Sequence, residues 1–217
     1  MSSPPVYQQF APLPSDETIR ITWPTPNRSL FTTPNRYFAR TRANPDYGKP
    51  GFTRDCGRRF HRGCDIAPIT VTATGQSTLV IFSDCATGTD YESDEPTFVP
   101  HDDVFCVFAG RVVKVVTDET ASDFGRHVVI EHHWPRCGEK FFTLYGHLAE
   151  IRVTNHQSLI TGHLLGRMGQ SSRSADARNW MPVAPHLHFE VRNAAGQPHN
   201  PEEFLRVFLG HSTVDGR

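Results

Sequence analysis

The sequence has no CxxC pair, no run of eighteen apolar residues and no marked excess of either charge, and each absence closes off a class of protein. Without CxxC a zinc ribbon is not expected. Without a long apolar run no membrane-spanning helix is expected. A net charge of −1 gives no whole-chain reason to expect DNA, RNA or an anionic membrane as partner. The N-terminus, MSSPPVYQQFAPLPSDE, lacks the basic and apolar regions of a secretion signal, so localisation is unknown from the sequence. Oligomeric state is equally silent.

Helical periodicity is also scarce. One stretch, PEEFLRVFLG after Asn200, has proline and two acids at its start and glycine at its end, which predicts a short terminal helix. Cysteine is present but odd in number: Cys56, Cys64, Cys85, Cys106 and Cys137 leave at least one thiol unpaired within the chain. Scattered thiols are one reading; one or two disulfides, with Cys56–Cys64 the nearest pair, are the other.

What is present is β-type texture. The runs VFCVFAG, RVVKVV, HVVIEHH, FFTLYGHL and HLHFEVR are rich in Val, Ile and Phe, and several alternate in polarity. They predict a mostly β protein with a compact antiparallel sheet. With 217 residues and 37% apolar content, one core is expected. Residues 1–45 are proline-rich and read as an extended arm, draped on the domain or partly disordered. Residues 46–210 form the folded domain, with an insertion near 68–103, and 211–217 are a tail. Within the insertion, the acidic segment DCATGTDYESDEP reads as a solvated loop.

Three patterns carry chemistry. In His61-Arg-Gly-Cys-Asp65, residues four apart in an extended segment share a face, so imidazole and carboxylate can converge while Gly63 lets the backbone bend. In Pro185-His186-Leu187-His188-Phe189-Glu190-Val191-Arg192, period two puts His186 and His188 on one face. Two imidazoles side by side are costly to bury unpartnered, which favours a metal or catalytic role. In Tyr145-Gly146-His147-Leu148, a histidine at a strand end is placed to lean into a groove. Two histidines and one carboxylate fill three positions of a tetrahedral zinc and leave the fourth for water, as in a catalytic site. Two histidines remain for proton transfer or oxyanion stabilisation.

In order along the chain, RRFHRGCDIA, VFAGRVVKV, FGRHVVIEHH, TLYGHLAEI, TGHLLGRMGQS, PHLHFEVR and NPEEF resemble the lysostaphin-type zinc endopeptidases, the M23 family with its LytM-like cell-wall hydrolases. The resemblance implies a β-sheet domain with a loop-walled groove and one zinc ion per chain. It implies His61, Asp65 and His188 as metal ligands, and His147 and His186 as the catalytic pair. It implies peptidoglycan peptides as substrate, cut at cross-links or cross-bridges, and hence an extracellular or periplasmic site of action.

His132, after VVIE, is a candidate for support beside the ligands, and Tyr145, two before His147, for substrate contact. Glu190 and Arg192 share the face of the two histidines and are candidates to orient them. Two alternatives stand beside the enzyme: a non-catalytic module that binds cell wall or activates a hydrolase, and a zinc peptidase acting on a non-wall peptide. The stretches after Asp65 and between Gly169 and His186 are longer than the family pattern needs, so they are expected to reshape the groove walls.

Overall fold

The computed structural model describes residues 6–8, 19, 21–41, 44–83, 87, 89–100, 102–135, 137–173 and 185–210; within 76–98 and at 100 it fixes the backbone of most residues and few side chains. The tail at 211–217, Cys85 and most of the long stretch before His186 lie outside the described residues.

Fourteen strands and two helices are described. The strands are β1 (Gly51–Arg54), β2 (Arg59–His61), β3 (Cys64–Ile66), β4 (Val71–Ser83), β5 (Asp90–Pro100), β6 (Asp103–Phe105), β7 (Gly110–Val116) and β8 (His127–His133). They continue as β9 (Lys140–Gly146), β10 (Leu148–Ile151), β11 (Ser158–Leu159), β12 (Leu164–Met168), β13 (Leu187–Asn193) and β14 (Pro198–His199). Helix α1 (Pro34–Tyr37) is a single turn, and α2 (Pro201–Gly210) is the terminal helix expected from the sequence. Asn200 caps α2 by accepting the backbone N–H groups of Glu202 and Glu203 at 3.0 and 3.3 Å.

The main sheet runs β11-β7-β8-β9-β13-β14, and β3 pairs with β13 beside β14. All of its ladders are antiparallel. Strands β10, β12 and β6 form a second small sheet, and β1-β2 and β4-β5 are separate hairpins. The fold is therefore mostly β and antiparallel.

Alternation decides which face is core. Leu187, Phe189 and Val191 of β13, Tyr145 of β9 and Val128 and Ile130 of β8 are fully buried. Phe204 and Phe208 of α2 cover the same layer, with Trp134 and Phe141 stacked beside them. The opposite face of β13 presents His188, Glu190 and Arg192.

The structure sharpens three sequence expectations. Much of the proline-rich segment is structural core: Ile19, Ile21, Leu30, Tyr37 and Phe38 are buried in the main cluster. From Asp90 on the acidic segment is a strand, because β5 pairs with β4 from Val71↔Pro100 to Ser83↔Asp90 and so satisfies its backbone groups. Cys64 is a free, buried thiol beside Asp65, so it is not the partner of Cys56, which is disulfide-bonded.

Candidate metal centre and active site

The register of β3 on β13 sets Asp65 opposite His188, and the register of β9 on β13 sets Gly146 on the other side of that histidine. Directly opposed residues share a face, so carboxylate and imidazole meet there by construction. Strand β2 delivers His61 to the same point. The donor atoms of His61, Asp65 and His188 all lie within 4.8 Å of one another.

The separations are informative. His61 Nε2 is 3.3 Å from His188 Nδ1 and 3.3 Å from Asp65 Oδ1, and His188 Nδ1 is 2.8 Å from Asp65 Oδ1. Donors at about 2.05 Å from a tetrahedral ion stand roughly 3.3 Å apart. The donor set therefore fits zinc in both chemistry and spacing.

Each imidazole is also oriented from behind. His61 Nδ1 donates to the Lys49 carbonyl at 2.8 Å, which leaves the lone pair on Nε2. His188 Nε2 donates to Glu190 Oε1 at 3.0 Å, which turns Nδ1 inward, and Arg192 Nε holds the other Glu190 oxygen at 2.6 Å. Carbonyl or carboxylate behind a ligating histidine is the usual arrangement at protein metal sites.

Gly63 matters for space and not for bending. A Cβ there would lie 2.6 Å from the Phe189 carbonyl and 2.8 Å from His188 Cε1, so only glycine lets the two chains approach.

Electrostatics follow from burial and partners. Burial raises the Asp65 pKa, but Arg54, His61 and His186 outweigh it and hold the carboxyl well below its usual range. Burial disfavours the His188 cation, yet its hydrogen bonds to Asp65 and Glu190 prevail and push the imidazole up to about 9. His61 moves the other way: burial lowers it, Asp65 pulls against that, and the adjacent Arg54 and His188 add to the lowering. A proton on His188 Nδ1 and a metal ion there are alternatives.

His147 and His186 stand next to the cluster, with ring centroids 4.7 Å apart. His186 Nε2 is 3.6 Å from Asp65 Oδ2. His147 is a non-glycine residue at φ 61°, a conformation held by its surroundings: its N–H bonds the Phe124 carbonyl at 2.7 Å and its Nδ1 the Ser171 carbonyl at 2.8 Å. Burial lowers its pKa well below the ordinary value, and His186 and His188 lower it further.

Two candidates fall elsewhere. Tyr145 pairs with Phe189 in the core, is fully buried, and accepts the Val107 N–H at 3.0 Å. It is not placed to touch substrate. The period-two count fails there because the chain leaves extended geometry at His147. His132 pairs with Phe141, whereas His188 pairs with Gly146, so His132 sits five steps, roughly 17 Å, along the sheet. It stacks on Phe141 and bonds Ala109 and Thr143 in the core, away from the donors.

Sequence reasoning missed several neighbours. Arg54, 6% exposed, contacts Asp65 Oδ2 and lies 3.1 Å from His61 Nε2. Tyr7 bonds the His61 carbonyl and accepts the Gly51 N–H at 2.9 Å. The Phe124 ring lies 5.3 Å from that of His188 and walls the cluster. Nothing in the sequence distinguishes Arg54 from Arg58, Arg59 or Arg62 close by.

A His–Asp–His cluster with two further histidines at its rim, on an antiparallel sheet, is an arrangement suited to metal-assisted hydrolysis. The sequence profile described as Peptidase family M23 matches residues 84–201, more than half of the chain, and the chain belongs to that family. His147, His186 and His188 fall inside the matched span; His61 and Asp65 precede it, and Asp65 reaches it through the β3–β13 ladder.

Similar solved structures include the catalytic domain of an A109H mutant of the prophage-encoded M23 protein EnpA from Enterococcus faecalis, at 22% identity over 79% of this chain and 92% of that one, TM-score 0.44. The catalytic domain of the antimicrobial peptidase lysostaphin from Staphylococcus simulans is 16% identical over 74% of this chain and 90% of that one, TM-score 0.46. No curated protein matches the sequence.

Proposed function

We propose that this chain is a zinc metalloendopeptidase that hydrolyses peptide bonds in peptidoglycan cross-links or cross-bridges, acting outside the cytoplasm in the extracellular space or periplasm. The observation that carries the chemistry is the spacing of His61 Nε2, Asp65 Oδ1 and His188 Nδ1, at 2.8 to 3.3 Å, with His147 and His186 alongside. Membership of a peptidase family supports the reaction class, and the substrate class rests on resemblance.

His61, Asp65 and His188 would hold the ion. When bound, zinc would supply Lewis-acid polarisation of the scissile carbonyl and acidify water. His147 donates through Nδ1 to Ser171 and so presents the Nε2 lone pair, which suits it to take a proton. His186 stands beside the donor cluster, its Nε2 3.6 Å from Asp65 Oδ2, which suits it to steady a developing oxyanion. Phe124 walls the cluster beside His188.

The test is purified protein on peptidoglycans of different cross-bridge chemistry, with released fragments read by mass spectrometry. One zinc per chain and new termini, both lost in Asp65→Ala, are the expected result. His186→Ala should abolish cleavage with zinc retained. Zinc binding with no turnover of any wall peptide would favour a binding module, and cleavage confined to non-wall peptides would redirect the substrate.

A further inference from the structure

The Arg54 guanidinium touches one atom that a metal ion would bind, His61 Nε2, and the carboxylate that would supply another donor. Its Nη2 lies 3.1 Å from His61 Nε2 and also contacts Asp65 Oδ2. Because His61 Nδ1 is committed to the Lys49 carbonyl, the ring has a single in-plane lone pair, at Nε2. That lone pair can accept an Arg54 N–H or bind a metal ion. It cannot do both.

Arg54 is held in place by more than these ligands. It ends β1, across the hairpin from the strand carrying His61, and its guanidinium lies 3.5 Å over the Tyr47 ring. The side chain is 8% exposed, and Asp65, its carboxylate partner, is fully buried. A buried carboxylate needs a cation, and Arg54 supplies one from within the fold.

We propose that Arg54 is a resident competitor for the metal centre: it occupies the His61 lone pair and neutralises Asp65, and metal loading requires its withdrawal from His61 Nε2 while it keeps Asp65 Oδ2 and Tyr47. The inference rests on the metallopeptidase reading above. It implies opposite effects on two measurable quantities. Removing Arg54 should tighten metal binding, because the lone pair is released and a cation beside the ion is gone. It should weaken the metal-stripped fold, because Asp65 is left buried with its principal counter-charge missing.

The experiment compares the full chain with Arg54→Met, which keeps an unbranched side chain without charge or donors. Zn2+ affinity is read by competition with a chromophoric chelator, and the melting temperature is read with and without Zn2+. The expected result is tighter Zn2+ binding in R54M, on the order of tenfold or more, with a lower melting temperature for the stripped protein. Unchanged or weaker affinity in R54M would overturn the proposal and leave Arg54 as a support for Asp65. Should R54M fail to fold when stripped, Arg54→Gln, shorter and without charge, is read by the same criterion, with affinity above the parent in support and equal or lower against. If the parent chain itself binds no Zn2+, the metallopeptidase reading has failed, and that outcome is distinct from a parent that binds one ion with R54M no tighter.

Discussion

The Nδ1 atom of His147 lies 2.8 Å from the carbonyl oxygen of Ser171, and the same serine side chain accepts the Arg126 N–H at 2.9 Å and donates to the Leu148 carbonyl at 2.8 Å. The orientation of one histidine ring is thus coupled to a junction of three chain segments. Gly125 closes that junction at φ +57°, and a Cβ there would lie 2.1 Å from the Ser171 oxygen. Gly125→Ala should shift Ser171, release His147 and lower kcat/KM by roughly 10²-fold, as small misplacements of catalytic groups do. Zinc content should stay near the parent value, since no donor atom touches Gly125.

Glu190 sits behind His188 and is itself gripped by Arg192. Replacing it by Gln keeps the shape and removes the charge that orients the ligand. Zinc affinity should fall about 10–100-fold. Chelator competition at fixed pH reads the loss, and an affinity within twofold of the parent would refute the orienting role.

Asp65 is buried between a guanidinium and the imidazoles. Asp65→Ala removes one donor and strands Arg54 in the interior. Zinc should be lost at micromolar concentrations, and the chain should lose about 3–5 kcal/mol, the usual cost of breaking a buried ion pair from one side. Inductively coupled plasma analysis and denaturant melts report the two effects separately.

His132 gives a pH prediction away from the candidate metal site. Burial holds its imidazole down at about 4, against the opposing pull of backbone carbonyls at Ala109 and Phe108. In the unfolded chain it titrates near 6.5. The folded pKa is depressed, so the contribution is complete above about 6.5 and is lost as pH falls from there towards 4. The largest difference is about 3 kcal/mol. In His132→Gln that part of the acid-side slope should vanish, and denaturant melts across this range measure it.

The sequence makes some of this legible, for reasons visible in individual residues. His186, His188 and Glu190 are readable because a regular strand alternates its faces, and β13 is regular from Leu187 to Asn193. Helix α2 is readable because its start and stop signals are local. Tyr145 is misread because alternation was carried through His147, where the backbone turns left-handed. His132 is misread because its place after VVIE says nothing about strand register, and five residues on a strand are a long way. Arg54 is illegible among several arginines; the tertiary contact with Asp65 distinguishes it. The Gly63 requirement comes from a strand more than a hundred residues away, which no local signal reports.

Asp65 and His188 are 123 residues apart, and the strand carrying Asp65 joins the main sheet by its ladder to the strand carrying His188. On a ribosome adding 5–20 residues per second, roughly 6–25 s separate the synthesis of the two. Until then β3 lacks the β13 edge and the cluster has two donors at most. A chain cut short anywhere before residue 188 is therefore without its third donor, so the cell that makes this protein is exposed to the complete site only once translation of the domain is nearly finished.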